Sequence, residues 1–389
     1  MLPSVIAFSA VDKLSSISFS MRAEVIIGGM DPAEFEQRRK RVAGGLAEHK
    51  VDALLVSSLL NVRYLSGFTG SNGNLLIWQA GAVLFTDPRY DLRAREEVTC
   101  HVKVTRRPLV LDVVARIGRL GLRRIGYEQT RMTCDSYEAL KSRLPMKASL
   151  VPVAGWVEEM RTIKSPAELA LIRRSVETNS RAFEQVAGRL KAGITERALA
   201  AELEYRMRRL GAEKPAFDTI VAGGVRTALP HSEPSSARLE IGGLVMVDMG
   251  ALQEGYSSDM TRMLYLGVPT PKVKRTYRAV LEAQMAALDA VRPGILAAQV
   301  DRQARRVLKS YGLDRAFVHS TGHGLGLEIH EAPRIGKNSK SRLEVGMTIT
   351  IEPGAYLEGF GGIRIEDTVS VTSSGCEILT PTSKELRTI

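Results

Sequence analysis

The second half of the chain contains a repeat, and no other feature of the sequence restricts the fold as strongly. Gly193 and Gly211 enclose a stretch with helical apolar spacing, and Gly294 and Gly312 enclose another, 101 residues later. Each stretch is followed by a short strand-like segment and then by a pattern typical of a two-stranded hairpin. A duplicated helix–strand–hairpin unit predicts two halves related by a pseudo-twofold axis, with a site between them.

Ahead of the repeat, helical and strand patterns alternate. Residues 53–56 and 82–85 are apolar runs of strand length, residues 109–120 have helical spacing, and residues 124–127 predict a further strand. Alternation of this kind is typical of an α/β domain.

Two helix starts help to divide the chain. Asp31-Pro32-Ala33-Glu34 and Ser165-Pro166-Ala167-Glu168 each combine an N-cap residue, a proline at the first helical position and a glutamate at the third. A chain of 389 residues exceeds one ordinary core. We therefore predict an α/β protein with a smaller N-terminal α/β domain over residues 30–158 and a C-terminal α+β domain over residues 159–389.

Composition excludes several classes of protein. No apolar run approaches the roughly 20 residues of a membrane-spanning helix. The net charge of +11 comes largely from helices in which basic and apolar positions alternate, without aromatic interleaving or a basic tail, so nucleic-acid binding is not predicted. The three cysteines are far apart and form neither a disulfide framework nor a metal spacing, which indicates a reducing cytoplasm.

The first 29 residues are irregular and mildly polar. No basic segment precedes their apolar stretch, so a secretory signal is not predicted. We predict an irregular extension over residues 1–29, and translation from Met21 or Met30 would be consistent with it.

The first predicted hairpin carries two aspartates. A strand-like run over residues 244–249 is followed by a turn and a second run over residues 256–261. If the turn is centred between residues 253 and 254, Asp248 and Asp259 lie directly opposite each other, with Cβ atoms about 4.5–5.5 Å apart. Carboxylates so placed repel each other and lose hydration, so they require a positive charge between them.

The second predicted hairpin repeats this arrangement with glutamates. If its glycine-rich turn is centred on Gly359, Glu352 lies opposite Glu366. Each half of the repeat thus directs a carboxylate pair toward the same axis. Four carboxylates at one place require cations, and two divalent ions would balance their charge.

Histidines are concentrated in the same part of the chain. Four of the six, His231, His319, His323 and His330, lie between and around the hairpins. Residues 319–330 are rich in glycine, which allows the backbone to approach a ligand closely. We expect one histidine as a neutral nitrogen ligand and the others as donors to a developing charge.

Short motifs along the chain carry a family resemblance. They are Leu229-Pro230-His231, Val247-Asp248-Met249-Gly250, Ser258-Asp259-Met260-Thr261-Arg262, Gly322-His323-Gly324-Leu325-Gly326, Ile351-Glu352-Pro353-Gly354 and Arg364-Ile365-Glu366-Asp367. Together with residues 61–70 and 86–90, they resemble the Xaa-Pro aminopeptidase and prolidase branch of the pita-bread metallopeptidases. The resemblance extends over residues 31–389 and implies a creatinase/prolidase-like N-terminal domain followed by a pita-bread domain.

The resemblance also implies a role for each matched residue. The metal ligands would be Asp248, Asp259, His323, Glu352 and Glu366, with Asp259 and Glu366 bridging two ions. The residues acting on substrate, the tetrahedral intermediate and protons would be His231, His319, His330, Glu352 and Arg364. Glu352 would carry a proton to the leaving nitrogen. Oxygen ligands with a single imidazole favour Mn²⁺, with Co²⁺ or Zn²⁺ as substitutes.

The activity implied is hydrolysis of the bond between an N-terminal residue and a following proline by hydroxide generated at the two ions. This is an Xaa-Pro aminopeptidase acting on peptides with proline at the second position. The resemblance further implies a homodimer.

Four alternatives share parts of this architecture. An Xaa-Pro dipeptidase would have the same site residues and differ in the room beyond the P1′ pocket. A methionine aminopeptidase would lack the N-terminal domain, and a creatinase-like hydrolase would work without the metals. A non-catalytic interaction module would typically have lost ligands. All five ligand positions are intact, which favours an Xaa-Pro peptidase.

Overall fold

The first part of the chain is built on a six-stranded sheet. The computed structural model describes residues 30–389, and the predicted extension over residues 1–29 lies outside that range. The sheet has the order β4-β3-β2-β1-β5-β6, in which β2 is antiparallel to both neighbours and the other pairs are parallel. Its strands are β1 (Ala53–Val56), β2 (Gly73–Trp78), β3 (Gly81–Thr86), β4 (His101–Val104), β5 (Arg124–Glu128) and β6 (Ser149–Val153).

Helices pack around this sheet. They are α1 (Pro32–Gly45), α2 (Leu59–Ser66), α3 (Asp91–Glu97), α4 (Leu109–Leu120) and α5 (Cys134–Lys141). Strand β1 and helix α4 coincide with their predicted segments, because each has a strong apolar pattern with clear ends. After the last strand of this sheet, α6 (Trp156–Thr162) leads to α7 (Pro166–Ala187). The predicted capping box of α7 is present, because the side chains of Ser165 and Glu168 each accept the other residue's backbone N–H.

The remaining chain forms the two predicted halves. The first contains α7, α8 (Glu196–Arg209), β7 (Lys214–Pro215), β8 (Ile220–Gly223), β9 (Leu244–Met249), β10 (Ala251–Gln253), β11 (Tyr256–Ser257) and β12 (Met260–Tyr265). The second contains α9 (Pro271–Ala290), α10 (Ala297–Ser310), β13 (Gly322–Gly324), β14 (Glu331–Ile335), β15 (Thr348–Ile351), β16 (Gly354–Leu357), β17 (Gly361–Arg364), β18 (Asp367–Val371), β19 (Cys376–Ile378) and β20 (Arg387–Thr388). Helices α8 and α10 begin and end 101 residues apart, which confirms the repeat.

The turns before these two helices are also equivalent. Gly193 and Gly294 have φ angles of 91° and 85°, in the left-handed region that favours glycine. Each donates its backbone N–H over 2.7 Å, to the carbonyls of Leu239 and Leu343 respectively. The repeat therefore includes backbone hydrogen bonding as well as the positions of the helices.

The largest sheet of each half is antiparallel, apart from β20, which crosses from the second half to pair with β12 in parallel. The sheets have the orders β20-β12-β9-β8 and β14-β13-β15-β18-β19, so β8-β9-β12 and β13-β15-β18 are equivalent triplets. Met246 and Met263 of the first sheet share one apolar core with Ile349 and Val369 of the second. None of the helices between residues 30 and 389 combines the length and apolar character required to cross a bilayer.

Candidate metal centre

The second hairpin has the predicted register. Ile351 pairs with Asp367 in β15–β18, and Gly354 pairs with Arg364 in β16–β17. Both pairings have the same offset, so Glu352 and Glu366 lie opposite each other between the two ladders. This prediction is confirmed.

The predicted register of the first hairpin is wrong by two residues. Asp248 pairs with Thr261 rather than with Asp259. The turn consists of Glu254 and Gly255, with φ angles of 50° and 79°, and lies one residue later than predicted. Because the error is an even number of residues, the faces are preserved. Asp248 and Asp259 therefore both line the same cleft.

Three of the five predicted ligands form a compact set. One ligand atom from each of Asp259, His323 and Glu366 lies within 4.8 Å of the others. The Nε2 atom of His323 is 3.5 Å from a carboxylate oxygen of Asp259 and 3.5 Å from one of Glu352. The Nδ1 atom of His323 is 3.0 Å from the carbonyl of Gly324, a contact that assigns the proton to Nδ1. Nε2 is then left as an acceptor facing the carboxylates.

The fifth residue, Asp248, lies at the edge of this set. One of its oxygens accepts a hydrogen bond of 2.6 Å from Arg364. The other, Oδ1, is buried and accepts no hydrogen bond from any residue between 30 and 389. A buried carboxylate oxygen without a donor is costly, and a cation beside it would remove that cost.

The charges of the site also favour cations. Burial, together with repulsion from Glu366, raises the pKa of Asp259 well above its usual range. Burial and the charge of Glu352 raise the pKa of Glu366 in the same way, and burial raises that of Glu352 to about 7. Burial lowers the pKa of His323 to about 4, so its imidazole is neutral at pH 7. These shifts are those of an acidic site that requires positive charge, so the donor set fits divalent ions.

Hydrogen bonds hold the carboxylates from behind. Thr261 Oγ1 donates to Glu366 over 2.7 Å and accepts from Arg364 Nε over 3.0 Å. Thr350 Oγ1 lies 3.3 Å from a carboxylate oxygen of Glu352. Neither threonine was predicted from the sequence as a site residue. The predicted register placed Asp259 at the position opposite Asp248 that Thr261 occupies.

Tyr356 is a third site residue that was not predicted from the sequence. Its hydroxyl accepts from Arg364 Nη1 over 2.7 Å and lies 2.8 Å from His319 Nε2. Tyr356 pairs with Gly362, two residues before Arg364, so it lies on the same face as Arg364. The predicted register of this hairpin already pairs Tyr356 with Gly362, so it could have identified Tyr356 as a neighbour of Arg364.

The three remaining predicted histidines occupy different environments. His319 is held at both ring nitrogens, by Tyr356 and by the carbonyl of Ser320, and burial lowers its pKa to about 4. His330 is exposed to the cleft, with its ring centroid 4.4 Å from that of His323. His231 is also exposed. All three line a cleft of about 660 Å³ that contains the carboxylates.

Comparisons with known proteins agree with this geometry. Residues 170–373 match the model of metallopeptidase family M24, and residues 38–163 match that of the creatinase/prolidase N-terminal domain. An uncharacterized peptidase of Bacillus subtilis is 39% identical over 86% of this chain and 95% of its own length. An Xaa-Pro dipeptidase of Pyrococcus horikoshii is 38% identical over 90% of this chain and 98% of its own length.

Solved structures show the same similarity. An Xaa-Pro dipeptidase from Bacillus anthracis superposes with a TM-score of 0.89 at 36% identity, covering 91% of this chain and 100% of that one. An X-Pro aminopeptidase from Thermotoga maritima superposes with a TM-score of 0.86 at 35% identity, covering 90% of this chain and 100% of that one.

Proposed function

The chain belongs to metallopeptidase family M24 and carries that family's creatinase/prolidase N-terminal domain, and from this premise we propose that it is a dinuclear metal-dependent Xaa-Pro dipeptidase. The observation that carries the proposal is the buried set of Asp259, His323 and Glu366, with Glu352 beside it. These are hard oxygen ligands with one neutral imidazole, a combination suited to Mn²⁺.

All five predicted ligands enter the proposal. They are Asp248, Asp259, His323, Glu352 and Glu366. The negative charges of the four carboxylates would balance the positive charges of two divalent ions. When bound, the ions would supply Lewis acidity that lowers the pKa of a water molecule and polarises the scissile carbonyl.

The protein's own groups would bind substrate and transfer protons. His231 and His330 are exposed to the cleft and can donate to a carbonyl oxygen of substrate. Glu352, whose carboxylate lies 3.5 Å from His323 Nε2, can take a proton at its carboxylate and return it to the leaving nitrogen. Proton delivery matters here because the nitrogen of proline leaves as an amine only once protonated. Arg364 would orient the carboxylate of Asp248.

Relatives support the dipeptidase rather than the aminopeptidase that the sequence analysis preferred. The dipeptidases of P. horikoshii and Pyrococcus furiosus are 38% and 36% identical to this chain over 90% of its length. The similar structure from T. maritima keeps the aminopeptidase as a second candidate. A second cavity, of about 420 Å³, shares His319, Ser320 and Arg334 with the main cleft. In a longer peptide, this cavity would hold the residues beyond proline.

Peptide length separates the two activities. With Mn²⁺ added, a dipeptidase should hydrolyse Xaa-Pro dipeptides with a kcat/KM at least about tenfold higher than that for Xaa-Pro-Yaa tripeptides. The reverse ratio would assign the aminopeptidase. Excess chelator should abolish both activities, and full activity in its presence would refute the metal site.

A further inference from the structure

His330 lies at the end of a short segment whose last two residues, Ile329 and His330, line the cleft. Residues 325–330 connect β13, which contains His323, to β14, which begins at Glu331. The segment contains no helix or strand, so contacts outside regular secondary structure determine where the imidazole of His330 lies. The strongest of these contacts are at Glu331, immediately after the histidine.

Two buried cations hold Glu331. One of its carboxylate oxygens accepts from Arg161 Nη2 over 2.5 Å, and the other accepts from Lys164 Nζ over 2.9 Å. The side chains of Arg161, Lys164 and Glu331 are 2%, 1% and 5% exposed. The same carboxylate accepts the backbone N–H of Glu328 over 3.1 Å. Glu331 therefore closes the segment on itself and ties it to the chain that precedes α7.

The contacts continue into the N-terminal sheet. Arg161 donates to Glu328 over 2.9 Å and to Asn61 over 2.8 Å. Asn61 in turn donates to Glu128, at the end of β5, over 2.6 Å. Arg131 also donates to Glu328, through both terminal nitrogens over 2.8 Å. One hydrogen-bonded path thus runs from the N-terminal sheet to the residue beside His330.

Gly326 shows how closely these groups pack. A Cβ atom at this position would lie 2.9 Å and 3.0 Å from the two carboxylate oxygens of Glu331 and 3.0 Å from Cε of Lys164. The backbone of Gly326 also accepts a hydrogen bond of 2.8 Å from Ser257. A segment packed this closely against its ion pair has little freedom to move without it.

We propose that Arg161 and Lys164 are positioning residues, which hold the carboxylate of Glu331 and thereby fix His330 in the cleft. The inference rests on the proposed function for the role of His330 but not for the contacts themselves. Buried ion pairs contribute little to stability compared with apolar replacements. Three nearly inaccessible charges beside a cleft histidine are instead suited to fixing geometry, since small displacements of a catalytic group reduce turnover strongly.

A double-mutant cycle tests the proposal. Wild-type protein is first assayed with Mn²⁺ on an Xaa-Pro dipeptide. Absence of that activity would refute the proposed function but not the positioning role, which the hydrogen-exchange measurement below tests separately. Glu331→Gln, which preserves shape, and Arg161→Met should each lower kcat about 100-fold with KM changed less than about threefold. In a His330→Ala background, either change should lower kcat by less than about threefold. Equal losses in both backgrounds would overturn the proposal.

Metal content and a matched control separate positioning from general damage. Bound Mn²⁺ should stay near the wild-type level in Glu331→Gln, and its loss would show that the network supports His323 rather than His330. The matched control is Arg173→Met, which removes an ion pair with Glu377. The side chains of Arg173 and Glu377 are 42% and 47% exposed, and this change should leave kcat unchanged. Lys164→Arg should recover more activity than Lys164→Met, and equal activities would contradict a role for the charge.

Hydrogen exchange provides a measurement without turnover. In chelator-treated protein, amides of residues 325–331 should exchange at least about tenfold faster in Glu331→Gln than in wild-type protein. Arg173→Met should not change them. Unchanged exchange in Glu331→Gln would overturn the proposal even if activity fell. If Arg161→Met does not fold, the results for Glu331→Gln decide the test.

Discussion

The two halves of the C-terminal part share a frame but contribute different chemistry. The hairpin of the first half contributes carboxylates alone, Asp248 and Asp259, around a tight two-residue turn. The second half contributes two glutamates and also the neutral imidazole of His323. In the first half β8, the counterpart of β13, presents the apolar side chain of Ile220 to the cleft. A duplicated backbone can therefore place acids from both halves in one site while the imidazole of the set comes from the second half alone.

The longer turn of the second half explains part of this asymmetry. Strands β16 and β17 extend the hairpin and carry Tyr356 and Arg364 to the edge of the cleft. From there Arg364 reaches across to Asp248 of the first half. Strands β10 and β11, their counterparts, pair with each other at two positions, and the tyrosine of β11, Tyr256, donates to Glu168 rather than to a residue of the cleft. The difference in length allows the second half to orient a carboxylate of the first.

The largest expected effect tests what the halves share. Asp259→Asn and Glu366→Gln should each reduce bound metal and lower kcat/KM by on the order of 1,000-fold, because each would remove a carboxylate proposed to hold the ions, at a cost of several kcal/mol. Metal analysis and steady-state kinetics measure both effects. The exposed Asp289→Asn is the control. Retained metal in only one of the two variants would show that the halves do not contribute equally.

A smaller effect tests the donors at the mouth of the cleft. His231→Ala should lower kcat about 100-fold, since it removes one donor to the developing charge. Its metal content should remain near normal because its imidazole is exposed and away from the buried set. The exposed His101→Ala, in the N-terminal sheet, is the control. Metal loss in His231→Ala would place that residue among the ligands.

Removal of the metal should make stability depend on pH. The raised pKa values of Asp259, Glu352 and Glu366 mean that the folded metal-free protein binds protons that the unfolded chain has released above about pH 4.5. The contribution of these groups to the free energy of unfolding should therefore fall as pH rises, by about 1.4 kcal/mol per pH unit for each proton. The lowered pKa values of His319 and His323 act in the opposite direction below about pH 6.5, so the net fall is expected above pH 7.

Denaturant titrations of chelated protein at about pH 7 and about pH 8 measure this slope where the histidines are largely neutral in both states. Asp259→Asn should flatten it, and excess Mn²⁺ should raise stability at about pH 8 more than at about pH 7, because deprotonated carboxylates bind metal better. A slope that rises with pH in chelated wild-type protein would contradict the assigned repulsion.

The smallest effect sharpens the asymmetry between the halves. Tyr356→Phe removes a hydroxyl that bonds Arg364 and His319, each hydrogen bond being worth about 1 kcal/mol. A roughly fivefold fall in kcat is expected, measured by the same peptide assay. Tyr265→Phe, which removes a hydrogen bond to Gly242 away from the cleft, should change kcat by less than twofold. Equal effects of the two variants would argue against a role for the longer turn.

Much of the frame could be predicted because it depends on local signals. Helix α4, strand β1 and the capping box of α7 follow from apolar spacing and from residue types at helix ends. The hairpin of Glu352 and Glu366 was predicted correctly because glycines marked its turn. The predicted register of the hairpin that contains Asp248 was wrong because its turn contains Glu254, and glutamate rarely adopts a positive φ.

By itself, the sequence determined the repeat, the apolar faces of its helices and strands, and a set of acids and histidines directed toward one axis. Only the tertiary structure decided which of these groups meet: Arg364 with Asp248, Tyr356 with His319, and Arg161 with Glu331. The physical reason is the range of the interactions. Periodicity and turn preferences act over a few residues, whereas most of these contacts join residues more than 100 positions apart, and they depend on how complete elements pack.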